Sequence, residues 1–525
     1  MTHGNLVSSM TQPEFYPHGP ASVEMIQTHI SYIFIAGTYV YKVKKDVDFG
    51  FLDFTTIEKR KYYCDAELRL NRRLTHDIYL DVVPIYEDDG GNLHLTGGDT
   101  IVDYAVMMRK IPEDRMLYRL LAEGLVDQSV MDTVARTVAR FHSEASTGGD
   151  IDRIGGFDTI RHNHEENFQQ TEDYIGITIS RGRYRFIQSY VNTFLETQRP
   201  LFEKRVREHK IRDCHGDLHL QHICIADDIL IFDCIEFNER FRYLDVAAEV
   251  SFLAMDLDFN GYAEYGRAFI NAYLSYSGDQ EIVKLLNFYQ CYFAYVRGKV
   301  IGFQTQDSAI GERARTGAIE TASRYFDLAY RYAARPERPT LILTAGLMGT
   351  GKSVLAANLG TVLDARIIRS DVIRKEMLSI PPSERHHENF GTGIYTDDVT
   401  RKTYAAALQM AEQELKEGNS VVIDASFKAR SERQMAHQLA LSSGADFFII
   451  ECVCPETIVR QRLDARMSDR EEASDGRWEL FEAQRDSFQE IDELSGDCHM
   501  TVDTSDSPEG CMEEAVEKIR SGEGR

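Results

Sequence analysis

Apolar residues follow two different rhythms along this chain. Upstream, β-branched and aromatic residues crowd Gln27 to Ile35 and Thr38 to Lys44 on either side of Ala36-Gly37, a pattern that predicts a β-hairpin. Thr56 to Leu74 then sets Cys64, Glu67, Leu70 and Leu74 at helical spacing, so a helix able to pack on those strands should follow. Further strands are expected over Asp81 to Ile85 and Thr100 to Met108, and helices over Leu117 to Ser143 and most of Phe157 to Arg207. A small β-rich lobe ahead of a helical lobe is the expected arrangement. Downstream the rhythm changes to short apolar strands at Thr340 to Ala345, Ala365 to Arg369, Ser420 to Ala425, Phe447 to Val453 and His499 to Val502, with helical segments between them. Such alternation means a parallel sheet wrapped by helices. The change falls at Arg335-Pro336-Glu337-Arg338-Pro339, where two prolines interrupt a long helical stretch, so the division is placed between residues 1–335 and 336–525.

Candidate chemistry in the second half begins where its first strand ends. Gly346-Leu347-Met348-Gly349-Thr350-Gly351-Lys352-Ser353 joins that strand to a helix and fits the P-loop pattern. Backbone N–H groups around Gly346, Gly349, Thr350 and Gly351 can turn inward on phosphates, Lys352 reaches the β- and γ-phosphates of ATP, and the Ser353 hydroxyl suits Mg2+. In an open parallel sheet ligands collect beyond the carboxyl ends of strands. Asp371, in Ser370-Asp371-Val372-Ile373-Arg374, is placed there to take a hydroxyl proton, and Arg374 one turn later to hold an acceptor phosphate or steady transferred charge; a helix cap with a surface arginine fits the same spacing. Asp424 ends another apolar strand and is a candidate magnesium acid, or the cap of the next element. Arg460, Arg462 and Arg466 share a helical stretch before the polar segment Met467 to Gly476, either a lid over ATP or a solvated helix face.

Within the helical lobe of the first half, the polar segment Asp213-Cys214-His215-Gly216-Asp217-Leu218-His219-Leu220-Gln221-His222 precedes the apolar run Ile229 to Phe232, which ends in Asp233. Phosphoryl transfer asks little covalent work of a protein: a carboxylate near the attacking hydroxyl, and ligands for magnesium. Asp217 and Asp233 match those roles, and Lys42 on the hairpin with Glu67 on the next helix match a phosphate-holding lysine and its helical acid. Lys44, on the same strand face, is a rival to Lys42. The cluster Cys214, His215, His219, His222 and Cys224 also has zinc-ligand chemistry, without a second Cys or His pair at finger-like spacing.

Composition narrows the class. At about 150 residues per domain, 525 residues allow about three folding units, and 43% hydrophobic residues can bury several cores. A formal charge of -25 opposes binding along a nucleic acid duplex, which needs a basic surface to displace counterions. Nine cysteines spread over the whole length do not make a disulfide framework, and a reducing cytoplasm is the expected home. No stretch approaches the roughly 18 apolar residues of a membrane span, and the first residues lack a signal peptide's apolar segment.

With these motifs in place, residues 20 to 335 resemble the aminoglycoside phosphotransferase and choline kinase group of small-molecule kinases. The resemblance implies an α+β bilobal protein-kinase-like domain with Asp217 as catalytic-loop aspartate, Asp233 as magnesium aspartate and Asp245 as a structural acid. His222 stands where that group carries a metal-binding asparagine, which makes it the metal-side candidate of this loop although imidazole suits magnesium poorly. Residues 340 to 520 resemble the P-loop kinases that include polynucleotide kinase, zeta toxin and gluconate kinase, an α/β P-loop domain with a parallel sheet and AAA-type ATP binding. Together the halves resemble a bacterial two-domain fusion. The expected activity is ATP- and magnesium-dependent phosphoryl transfer to hydroxyl groups of small-molecule acceptors, by both halves. Two alternatives stand beside it: a single active P-loop kinase regulated by an N-terminal pseudo-kinase that senses a ligand, and an ATP-binding switch protein with slow hydrolysis.

Overall fold

The computed structural model of the chain describes residues 3–98, 100–306, 310–381, 392–466, 477–494 and 498–522. It divides into two compact units, Met1–Ala329 and Tyr330–Arg525, the division lying inside the helix Glu312–Ala334 and a little upstream of the proline pair. No helix among the described residues is long and apolar enough to cross a membrane.

The first unit opens with a six-stranded antiparallel sheet, β1 (Val23–Gln27), β2 (Ser31–Ala36), β3 (Tyr39–Lys44), β4 (Tyr79–Glu87), β5 (Leu93–His94) and β6 (Thr100–Arg109), in the order β1-β2-β3-β6-β4-β5. The run Gln27 to Ile35 is not one strand. The Thr28 hydroxyl accepts the Ser31 N–H at 2.9 Å and closes a turn, which splits the run and adds β1 as an edge strand. Helix Ile57–Asn71 starts from the capping Thr56 hydroxyl, which accepts the Lys59 N–H, and it packs Cys64 and Leu68 against Tyr79 and Val106. On the opposite face Phe34, Tyr41, Val43, Ile85 and Ala105 form a separate apolar core.

The rest of this unit is helical. The stretch Leu117 to Ser143 is two helices, Leu117–Ala122 and Gln128–Glu144, because Gly124 takes φ +69° and Asp127 caps the second helix through the Ser129 and Val130 N–H groups. Helix Val246–Phe259 is buried from Val246 to Leu257, as its nearly unbroken apolar sequence requires of a helix wrapped on all sides. Two short antiparallel ladders, β7 (Ile211–Asp213) with β10 (Tyr243–Asp245) and β8 (Ile223–Ile225) with β9 (Ile229–Ile231), bracket the polar segment Cys214 to His222 against that helix.

The second unit is a five-stranded, fully parallel sheet: β11 (Thr340–Ala345), β12 (Arg366–Arg369), β13 (Val421–Asp424), β14 (Asp446–Val453) and β15 (His499–Asp503), in the order β12-β13-β11-β14-β15. All six residues of the central β11 are buried, as expected of a parallel strand covered by helices on both faces. Chain order departs from spatial order across β11, so the carboxyl ends of β11, β12 and β13 gather the loops that carry the motif residues.

Candidate active sites

In the first unit, strand period places Lys42 and Lys44 on one face of β3, toward helix Ile57–Asn71. Lys42 Nζ lies 2.9 Å from Glu67 Oε1 and 2.6 Å from Asp233 Oδ1. Lys44 Nζ lies 2.8 Å from Glu67 Oε2 and also pairs with Glu236. The rivalry between the two lysines therefore ends in sharing, one carboxylate oxygen each. Burial opposes ionisation of Glu67, but the ammonium groups of Lys42 and then Lys44 outweigh it and hold the carboxyl below its ordinary range. Asp233 is likewise pushed up by burial and more strongly down by Lys42 and His222, and it stays ionised. Its backbone is strained, with φ +62° in a residue other than glycine. The conformation is held by its own N–H to the Tyr79 hydroxyl at 3.2 Å and by Cys234 N–H to Asn71 Oδ1 at 2.9 Å.

The loop carrying Asp217 is anchored from beneath. Glu249 accepts the N–H groups of His215 at 2.8 Å and Gly216 at 2.6 Å, and its other oxygen lies 2.8 Å from His142 Nε2. Seven residues further along the same helix, and so on the same face, Asp256 accepts the Leu220 N–H at 2.9 Å. Gly216 takes φ +87° there, and a Cβ would stand 2.8 Å from the Phe241 carbonyl oxygen, so the close approach of two backbones excludes a side chain. His215 donates through Nε2 to the Phe232 carbonyl at 2.9 Å and accepts the Asp217 N–H on Nδ1, tying the loop to the strand end that carries Asp233. Neither Glu249 nor Asp256 follows from the motif reading. The available signal was an acid at each of two positions seven apart in a run that, from Val246 to Leu257, is otherwise apolar but for Ser251.

Asp217 itself is partly exposed and meets two imidazoles: His219 Nε2 at 3.5 Å and His222 Nδ1 at 3.4 Å from Oδ2. Burial raises its pKa, but His219, His222 and the Arg297 guanidinium together carry it well below the usual carboxylate range. The alternative zinc set of Cys214, His215, His219, His222 and Cys224 does not assemble as a whole, although His219 and His222 gather with Asp217. The Cys214 thiol turns to Leu244 and Cys224 to Pro112, while both ring nitrogens of His215 are engaged by backbone. Against magnesium, Asp217 and Asp233 offer suitable oxygens but His222 does not fit, because its Nε2 stands 3.6 Å from Asp233 Oδ2 where a hard cation wants oxygen.

In the second unit the glycine loop runs from β11 into helix Lys352–Val362. Gly346, Gly349 and Gly351 take φ +124°, +78° and +86°. A Cβ on Gly346 would lie 2.5 Å from the Cys452 carbonyl oxygen, and one on Gly349 would lie 2.8 Å from Val459. Backbone therefore lines a concave loop at a helix N-terminus, a geometry suited to an anion. The Thr350 hydroxyl donates to the Leu347 carbonyl at 2.8 Å, and Lys352 Nζ donates to the same oxygen at 2.6 Å. Asp424 ends β13 directly beside Thr344, two residues before the loop. Both Lys352 and Asp424 act on the Cys452 thiol, which burial pushes up to about 12 while Lys352 pulls it down. The Ser353 hydroxyl and the Asp424 carboxylate are oxygen donors of the kind magnesium takes.

Asp371 lies in the first turn of helix Ser370–Met377, with Arg369 rather than Asp371 at the N-cap. Arg374 is buried, donating to the Ile394 carbonyl and the Thr400 hydroxyl at 3.1 Å each, with its guanidinium 4.9 Å over the Tyr395 ring. Arg462 donates to Thr504 and would touch a Cβ on Gly351 at 3.3 Å, so it stands at the P-loop. Arg460 lies 5.4 Å over the Trp478 ring. The side chain of Arg466 and the segment 467–476 expected as a lid lie outside the described residues.

Comparison with known proteins gives three findings. A family profile described as an AAA domain matches residues 341–491. The chain is 28% identical over 453 residues to an uncharacterized protein of Mycobacterium tuberculosis (strain ATCC 25618 / H37Rv), covering 86% of this chain and 88% of that one. Among solved structures, a choline/ethanolamine kinase family protein from Mesorhizobium loti aligns over 62% of this chain and 98% of its own at 9% identity and TM-score 0.37, and a gluconokinase from Sinorhizobium meliloti 1021 over 35% and 93% at 18% identity and TM-score 0.26.

Proposed function

We propose that the chain is an ATP-dependent phosphotransferase with two nucleotide sites, one in each unit, acting on hydroxyl groups of small molecules. The observation that carries the reading is the meeting of Lys42 with Asp233, 191 residues apart in sequence, beside Glu67 and the loop of Asp217. A lysine for phosphate oxygens, an acid to steady it and a carboxylate near an incoming hydroxyl are what phosphoryl transfer requires.

In the second unit the P-loop amides and Lys352 hold the β- and γ-phosphates, and Asp371 takes the acceptor's proton. Arg374, fixed by Ile394 and Thr400, and Arg462, fixed by Thr504, face developing charge with little motion to lose. Ser353 and Asp424 would hold magnesium, which supplies charge neutralisation between the phosphates. In the first unit Lys42 exchanges Asp233 for phosphate oxygens when nucleotide binds, and Asp217, hydrogen-bonded by His219, accepts the hydroxyl proton.

The test incubates the full chain with γ-labelled ATP and a metabolite library, alongside Lys352→Ala and Asp217→Ala. Lys352→Ala is expected to remove most ATP turnover, and Asp217→Ala to remove transfer to a separate set of acceptors. Full turnover in Lys352→Ala would refute the P-loop assignment, and an Asp217→Ala protein with every activity intact would refute the two-enzyme reading. That second outcome favours a ligand-sensing pseudo-kinase in the first unit, a reading supported by His222 standing between Asp217 and Asp233.

A further inference from the structure

One polar contact at the P-loop comes from far along the chain. Gln484, on the short helix Phe481–Ser487, accepts the Met348 N–H on Oε1 at 2.6 Å, 136 residues away in sequence. The same peptide unit is held from its other side, where the Leu347 carbonyl accepts the Thr350 hydroxyl at 2.8 Å and Lys352 Nζ at 2.6 Å. In a trans peptide the N–H and the C=O point in opposite directions on one rigid plane, so fixing one fixes the other. Gly346 and Gly349 lie close on either side, and glycine's freedom would otherwise let that plane turn over. Gln484 therefore governs the direction of the carbonyl on which the P-loop lysine rests.

The helix that carries Gln484 is itself anchored at both ends. Phe481 is buried with Val459 and Leu463, and Leu347 and Met348 pack on that cluster. Past the helix, the Gln489 N–H donates to the Lys428 carbonyl at 2.9 Å, and Gln489 Oε1 accepts the Arg430 N–H at 2.7 Å. The fully buried Arg433 guanidinium donates to the Glu490 carbonyl at 3.0 Å. From this geometry we infer that Gln484 is a positioning residue of the P-loop site. It locks the Leu347–Met348 peptide, and through it the resting place of Lys352, so that the loop is shaped before a nucleotide's phosphates arrive. Binding then need not order the loop, and affinity rises by the ordering cost that is avoided.

This role rests on the P-loop reading of the second unit, and one experiment tells their failures apart. Hydrogen exchange of the peptide spanning Gly346–Ser353 is followed in the full-length chain, without nucleotide and along an ADP titration. It reports this loop alone, whatever the first unit binds. Gln484→Met keeps the side chain's bulk and loses the acceptor, Gln484→Ala loses both, and Gln484→Glu keeps the acceptor. The glutamate variant is read without nucleotide, where its charge has no phosphate to repel. Without nucleotide, the methionine and alanine variants should exchange about three- to tenfold faster than the parent, and the glutamate variant at the parental rate. Half-protection by ADP should need about three- to tenfold more ligand in the methionine and alanine variants. Parental exchange or parental ADP affinity in Gln484→Met would overturn the inference, since a packing role survives that change. Exchange in Gln484→Glu as fast as in Gln484→Met would overturn it too. Absence of ADP protection in the parent itself would instead sink the P-loop reading, and the role of Gln484 with it.

Discussion

Replacing Glu249 by alanine removes the acceptor of three donors at once, the His215 and Gly216 N–H groups and His142 Nε2. Glu249 is 1% exposed, so water does not take its place freely. A buried donor left without an acceptor costs about 1–3 kcal/mol, and three at the lower part of that range give about 3–6 kcal/mol. Against a typical total of about 5–15 kcal/mol for a domain, this is a large share. Glutamine is the informative partner. Its amide oxygen keeps both backbone N–H groups, and only the His142 contact must be rebuilt with the ring in its other tautomer, a change of about 1 kcal/mol. Hydrogen exchange read by mass spectrometry on residues 211–225, with calorimetry of the whole chain, separates the cases. Glu249→Ala should expose the His215 and Gly216 amides to exchange and lower the first unit's transition; Glu249→Gln should stay near the parent. Equal behaviour of the two variants, or full protection of those amides in the alanine protein, would refute the reasoning that the acid anchors the loop.

Other expectations follow from the same geometry. Gly346→Ala puts a Cβ 2.5 Å from the Cys452 carbonyl oxygen at φ +124°, so nucleotide affinity of the P-loop should fall at least about tenfold in a fluorescent-nucleotide titration, with parental affinity as the contrary result. His164, packed among Phe168, Phe288 and Tyr292, has its pKa lowered by burial to about 3. Since the unfolded value is about 6.5, the stability from keeping this ring neutral is complete above about 6.5 and is lost as pH falls toward 3. His164→Phe should flatten the pH dependence of the denaturation midpoint in that window, and an unchanged slope would count against it.

Much of this was legible in the sequence wherever a residue's own neighbours along the chain decide its conformation. The P-loop is the clearest case, since strand, glycines and helix are contiguous from Thr340 to Val362. Periodicity also put Lys42 and Lys44 on one face, but period two cannot choose between them; the choice depended on Glu67 and Glu236 arriving from elsewhere, and both lysines were taken. The break at Gly124 was hidden because apolar spacing continues across it, and only the positive φ and the Asp127 cap disclose the turn. Glu249 and Asp256 escaped for the opposite reason: their partners are backbone N–H groups, which leave no mark on residue type. The zinc reading of Cys214, His215, His219, His222 and Cys224 failed because closeness in sequence says nothing about direction, and the two thiols turn toward Leu244 and Pro112.

Glu67 divides its two oxygens between Lys42 and Lys44, so the tether between helix Ile57–Asn71 and the sheet is duplicated. With the Lys42 contact broken, Lys44 would still neutralise the carboxylate and keep the helix tied to the sheet. Such redundancy means that losing either lysine leaves one anchor standing, and only loss of the acid itself cuts both.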